Sequence, residues 1–165
     1  MVVVKKILDF YINSSLHVAL SAFALVSMTQ YFFGVQGDFS VAFFAFFGTV
    51  VGYNFVKYDA IARLNRTQIK KELKTIVFLS FISLLACFYF FTQLSWMSKV
   101  SAVAFFGLTL LYTLPFFPNK QNARNWKGVK IYIVGITWVG VTVILPLVEA
   151  EIPFSIDVFL MEIGR

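Results

Sequence analysis

The sequence predicts an all-α fold, a polytopic transmembrane helical bundle of about five spans plus the start of a sixth, with the N-terminus cytoplasmic. Three observations lead there. Of 165 residues, 59% are hydrophobic, only 13% are charged and 21 are Phe, more apolar surface than one soluble core of this size encloses. The apolar residues fall in runs near the length needed to cross a hydrocarbon core of about 30 Å. Between the runs, Lys and Arg gather in alternate loops, the mark of cytoplasmic segments.

Met1 to Asn13 reads as an interfacial amphipathic helix, with Ile7, Leu8, Phe10 and Tyr11 toward lipid and Lys5 and Lys6 toward water. A cleaved signal peptide is the competing reading of this end. Against it, Asp9, Asn13 and His17 interrupt the apolar core a signal requires, and the apolar run continues to Phe33. The expected spans are Ser14 to Phe33, Ser40 to Val56, Ile76 to Leu94, Val100 to Phe117 and Ile131 to Val148. They must be helices. A run such as Val41-Ala-Phe-Phe-Ala-Phe-Phe47 is apolar on every face and shows none of the alternation of a strand, and in lipid the backbone must satisfy its own hydrogen bonds.

Orientation follows from the loops. Lys5 and Lys6 precede the first span; Lys57, Arg63, Arg66, Lys70, Lys71 and Lys74 fill the second loop; Lys120, Arg124, Lys127 and Lys130 fill the fourth. Twelve of the 14 basic residues thus share one side, the cytoplasmic one, and the chain is expected in the inner (plasma) membrane. The opposite side carries Asp38, Lys99, Glu149, Glu151 and Asp157. The formal net charge of +6 does not imply nucleic acid, because these cations occupy short loops and build no continuous face that follows phosphates. The lone cysteine, Cys87, excludes an intramolecular disulfide. Residues 1–165 read as a single transmembrane domain, and Phe154 to Met161 begins a further apolar segment too short to cross, so the bundle is expected to be a larger one cut short.

Polar groups at the ends of spans are the candidate functional residues, since desolvating them is costly. At the end of the second span, Asn54, Lys57 and Asp59 lead into Arg63 and Arg66, and a continuing helix places Asp59, Arg63 and Arg66 on one face. Asn54 and Asp59 are oxygen ligands suited to Mg²⁺, and the basic side chains suit a diphosphate or an anionic lipid head group. The structural alternative is an exposed Asp59–Arg63 pair with lysines that only set topology. A second cluster, Tyr112-Thr-Leu-Pro115 followed by Lys120 and Asn125-Trp-Lys-Gly128, crosses the same face; its alternative is a Pro-terminated helix, an interfacial Trp and a Gly turn. His17 lacks partners at metal spacing and is expected in a buried contact between helices. Gly48 and Gly52, and Gly135 and Gly140, thin two spans as close helix packing requires.

Together these features resemble the N-terminal half of the UbiA superfamily of intramembrane prenyltransferases, in particular divergent relatives of the Bacteroidetes type. The resemblance is carried by Asn54 before a polar loop, by Tyr112-Thr-Leu-Pro115 with Lys120 downstream, and by Asn125-Trp-Lys-Gly-Val-Lys130 leading to a span with Trp138, Gly140 and Pro146. It implies an all-helical bundle, usually of nine spans, that transfers an isoprenoid chain from a prenyl diphosphate to an aromatic or lipid acceptor with Mg²⁺ on Asp-rich cytoplasmic motifs. Counted from Asn54, the three acidic positions of the first motif fall on Phe55, Tyr58 and Ala62, and Asp59 is one residue out of phase, roughly 100° around a helix from Tyr58. The second Asp-rich motif would follow a sixth span. The resemblance therefore implies a diphosphate site of Asn54, Lys57, Arg63, Arg66, Tyr112 and Lys120, a metal site of Asn54 and Asp59, and no catalysis by these residues alone. The alternative is a non-enzymatic membrane protein, a transporter half or a homo-oligomeric scaffold packed through its glycines.

Overall fold

The computed structural model describes residues 2–35, 39–64, 71–113 and 128–153. Regular structure among them is entirely helical: α1 (Val2–Asn13), α2 (Leu16–Phe32), α3 (Ser40–Leu64), α4 (Lys71–Gln93), α5 (Trp96–Thr113), α6 (Val129–Val139), a π-helical turn (Gly140–Ile144) and α7 (Leu145–Glu149). Three stretches are long and apolar enough to cross a membrane, Ser40–Tyr58, Lys74–Gln93 and Ile131–Glu149. A fourth arises if α1 and α2 are taken as one span bent by 64°, while the apolar part of α5, Trp96–Leu110, is shorter. The expected end of the fourth span at Phe117 and the segment from Phe154 lie outside the described residues.

Side chains explain how the helices meet. α3 packs between α2 and α4, and its Phe43 and Phe47 stack on Phe90 of α4 with ring centroids 5.2 and 5.9 Å apart. The Phe-rich run of α3 thus builds a seam through offset ring contacts. The other side of α4 presents Phe78, Phe81, Leu85 and Phe88, each more than half exposed, a face fit for lipid. The rod of α6, the π turn and α7 packs against α2 and α5. A buried core of Val26, Val41, Ala42, Ala45, Ala102 and Leu145 forms at the end of the bundle where α2 finishes and α3 begins. Neighbouring helices run antiparallel: the end of α3 reaches the start of α2 through Tyr58 and Asn13, and the start of α5 reaches the end of α7 through Ser95 and Glu149. The small-residue expectation divides. Gly140 is buried, and a Cβ there would overlap the Phe105 ring; Gly48 has Cys87 Sγ 3.6 Å from its Cβ position; Gly52 and Gly135 face no neighbour within 4 Å.

The helix ends are closed chemically. At the end of α2 the chain turns through Gly34 at φ 65°, and Val35 N–H returns to Gln30 O at 2.9 Å, a left-handed cap that glycine adopts without steric cost. α5 begins with Ser95, whose Oγ accepts from Ser98 N–H at 3.3 Å, while both carboxylate oxygens of Glu149 accept from Ser95 N–H at 3.1 and 3.0 Å. An acidic group here complements the positive end of the α5 dipole and ties the α4–α5 link to the end of α7. Glu149→Gln should therefore lower stability by about 0.5–1 kcal/mol in the half-buried setting of this cap. Unfolding in mixed micelles should show it, and a wild-type midpoint for the variant would remove the cap from the account. Hydroxyls within the helices bond back one turn: Ser21 to His17 O at 3.0 Å, Ser101 to Met97 O at 3.0 Å and Thr137 to Ile133 O at 2.8 Å. Polar residues inside apolar helices are satisfied locally this way and need no ligand.

Candidate functional site

Asn54 is the best-defined of the expected site residues. It lies on α3, 3% exposed, and its Nδ2 donates to Ser80 Oγ on α4 at 2.9 Å. Its Oδ1 is buried with no hydrogen-bond partner. A buried amide oxygen left unpaired costs roughly 1–3 kcal/mol, so this atom is an acceptor waiting for a donor or a cation. Ser80 escapes sequence reasoning, because a serine in an apolar span carries no signal of its cross-helix partner.

One turn further, Lys57 has a different task from the one expected of it. Its Nζ donates to Asn13 O at 3.2 Å and Ile12 O at 3.5 Å, and Tyr58 Oη donates to Asn13 O at 2.9 Å. Two side chains of α3 thus cap the C-terminal carbonyls of α1, where a cation also meets the negative end of the helix dipole. The Lys57 ammonium lies 5.6 Å from the Tyr58 ring centroid, a further cation–π contact. An ammonium has three N–H groups, so the latch leaves Lys57 one donor for an anion. Tyr58, conspicuous in the sequence only as a position lacking a family carboxylate, is a structural member of this end of the bundle.

Asp59 and Arg63 fall on the last turns of α3, one turn apart along its backbone, and Tyr112 falls on the last turn of α5. Arg66 and Lys120 lie outside the described residues. Among the described residues no group of three His, Cys, Asp or Glu side chains comes together as a metal site. Asn54 Oδ1 is one hard oxygen of the kind Mg²⁺ accepts, and Mg²⁺ needs one or two carboxylates or phosphate oxygens besides. His17 is a correction: it is exposed rather than buried between helices, with its ring 5.8 Å from that of Tyr11. Burial failed there because the α1–α2 bend carries the first turn of α2 out of the bundle. No protein-family model, curated protein or solved structure matches this chain.

Proposed function

We propose that this chain is a multi-pass inner-membrane protein of the UbiA prenyltransferase type, with five spans and a cytoplasmic N-terminus, that binds a prenyl diphosphate at the Asn54 end of α3. The observation that carries the reading is the buried, unpartnered Oδ1 of Asn54 at the end of the bundle where Lys57 also lies. Asn54 contributes an oxygen to Mg²⁺, Asp59 a carboxylate, and Lys57, Arg63, Arg66, Tyr112 and Lys120 the donors for the diphosphate. An anionic lipid head group offers the same phosphate chemistry. Catalysis requires stabilising the departing diphosphate, and with Phe55, Tyr58 and Ala62 where the family carries carboxylates, binding without turnover is the expected behaviour.

The test is Mg²⁺-dependent binding of a radiolabelled prenyl diphosphate to the purified protein. Asn54→Ala and Lys120→Ala should each weaken binding roughly tenfold, the loss expected for one hydrogen bond or ion contact to a charged group. Equal binding by all three proteins would sink the site. It would favour the non-enzymatic alternative, a scaffold associating with further copies, for which Gly52 and Gly135 are the observation, since both leave space open beside their helices.

A further inference from the structure

The least partnered apolar surface at the N-terminal end of the bundle belongs to α1. On a helical projection Lys5, Lys6, Asp9 and Asn13 share an arc of about 100°, and Val4, Ile7, Leu8 and Phe10 occupy the opposite side. Val4, Ile7 and Leu8 are 61%, 63% and 53% exposed. Such a face cannot stay in water, and the described residues give it no cover.

The elbow below α1 fixes where that face points. The chain leaves α1 through Ser14 and Ser15, Ser15 adopts φ 60°, and α2 departs at 64°. A left-handed turn at a non-glycine residue is costly and persists only where the surroundings hold it. Here they do. Ser14 and Ser15 are buried, Ser14 N–H returns to Phe10 O at 2.8 Å, and Lys57 and Tyr58 clamp the Ile12 and Asn13 carbonyls from α3. If α2 crosses the bilayer at an ordinary tilt, about 20°, a helix set at this angle to it lies near the membrane plane. α1 is therefore a braced arm, not a frayed terminus.

From this geometry we infer that α1 is an in-plane anchor seated on an anionic phospholipid surface, with its apolar face in the acyl boundary and its lysines on lipid phosphates. The charge balance selects the lipid: Lys5 and Lys6 stand on the polar arc with Asp9 as its single acid, and Lys57 adds a third cation at the elbow. The inference is independent of the diphosphate site, since it involves neither Asn54 nor Mg²⁺. It makes the N-terminal end of the bundle responsive to lipid composition, because the same α3 latch that braces α1 sits one turn from Asn54.

The test uses the full chain with Cys87→Ala and a spin label at Leu8→Cys or Asp9→Cys, reconstituted in phosphatidylcholine vesicles with or without phosphatidylglycerol. With the anionic lipid, the label at residue 8 should collide with dissolved oxygen and be shielded from an aqueous nickel reagent, and the label at residue 9 should show the reverse. Removing phosphatidylglycerol, or introducing Lys5→Gln with Lys6→Gln, should lower the docked-to-undocked ratio by roughly fivefold per lysine. Equal nickel accessibility at the two positions would overturn the docking. Equal shielding of the residue 8 label in both lipids would overturn the anionic preference, and dipolar broadening between labels would overturn the lipid seat by assigning the face to a second copy.

Discussion

Gly140→Ala is expected to destabilise the bundle by about 1–3 kcal/mol, the usual cost of forcing extra carbon into a well-packed interior. Gly140 is buried at the start of the π turn, and the added Cβ would overlap the Phe105 ring of α5. Two effects oppose each other. Alanine is the better helix former by about 1 kcal/mol, and the backbone at Gly140, φ −56°, accepts it without strain. The ring can relieve the overlap only by leaving its place between α5 and the rod, so packing should win. Gly140→Val loses the propensity gain and adds two methyl groups, and should be worse. Denaturation in mixed micelles, followed by tryptophan fluorescence, gives both numbers. The internal control is Gly135→Ala, which meets nothing within 4 Å and should be neutral or slightly stabilising. A Phe105→Leu background should recover part of the Gly140→Ala loss. Equal effects at Gly135 and Gly140 would show that the close approach is not what holds α5 on the rod.

The contrast between those two glycines marks how far the sequence reaches. Apolar run length and loop charge locate the helices within a few residues, because both reflect one overriding cost, that of placing charge and unpaired backbone in lipid. The α1 helix and its break before α2 are legible for the same reason, from Lys5, Lys6, Asp9 and Asn13 on one arc. Which small residue is pressed against a neighbour depends on the rotation of each helix, and four glycines at similar spacing offer no means of telling Gly140 from Gly52 or Gly135.

The site is legible in a similar, partial way. Asn54 stands out because a carboxamide at the end of an apolar run must be compensated by some contact, and its buried Oδ1 bears that logic out. Lys57 is equally conspicuous, but its contacts lie 44 and 45 residues away in the backbone of Asn13 and Ile12, and carbonyls carry no sequence signature. Tyr58 is the same case. A tyrosine at a helix end fits an interfacial position as well as a hydrogen bond, and only the α1–α2 elbow decides between them.

Thr29→Val is expected to cost about 1–2 kcal/mol, toward the upper end of what single interhelical hydrogen bonds contribute in membrane proteins. The reason lies in Pro146. In an α-helix the Thr142 carbonyl would accept from the N–H of residue 146, and proline has none. The rod adapts just before it with the π turn, in which Leu145 N–H reaches back to Gly140 O. Thr29 of α2 then points its hydroxyl at Thr142 O, 2.8 Å away and buried, with its own Leu25 O at 3.1 Å as the local acceptor. Valine keeps the shape of threonine and removes the donor, so the loss measures an unmet carbonyl rather than a cavity. A double-mutant cycle separates this from a general intolerance of change at Thr29. Pro146→Ala restores the N–H that the Thr142 carbonyl lacks, and in that background Thr29→Val should cost at least about 0.5 kcal/mol less, beyond the usual scatter of additivity. Additive effects would mean that Thr29 acts through Leu25 alone and that the α2 contact with the π turn is packing. Coupling would mean that a proline, ordinarily a defect in a helix, is what obliges α2 and the rod to stay in register.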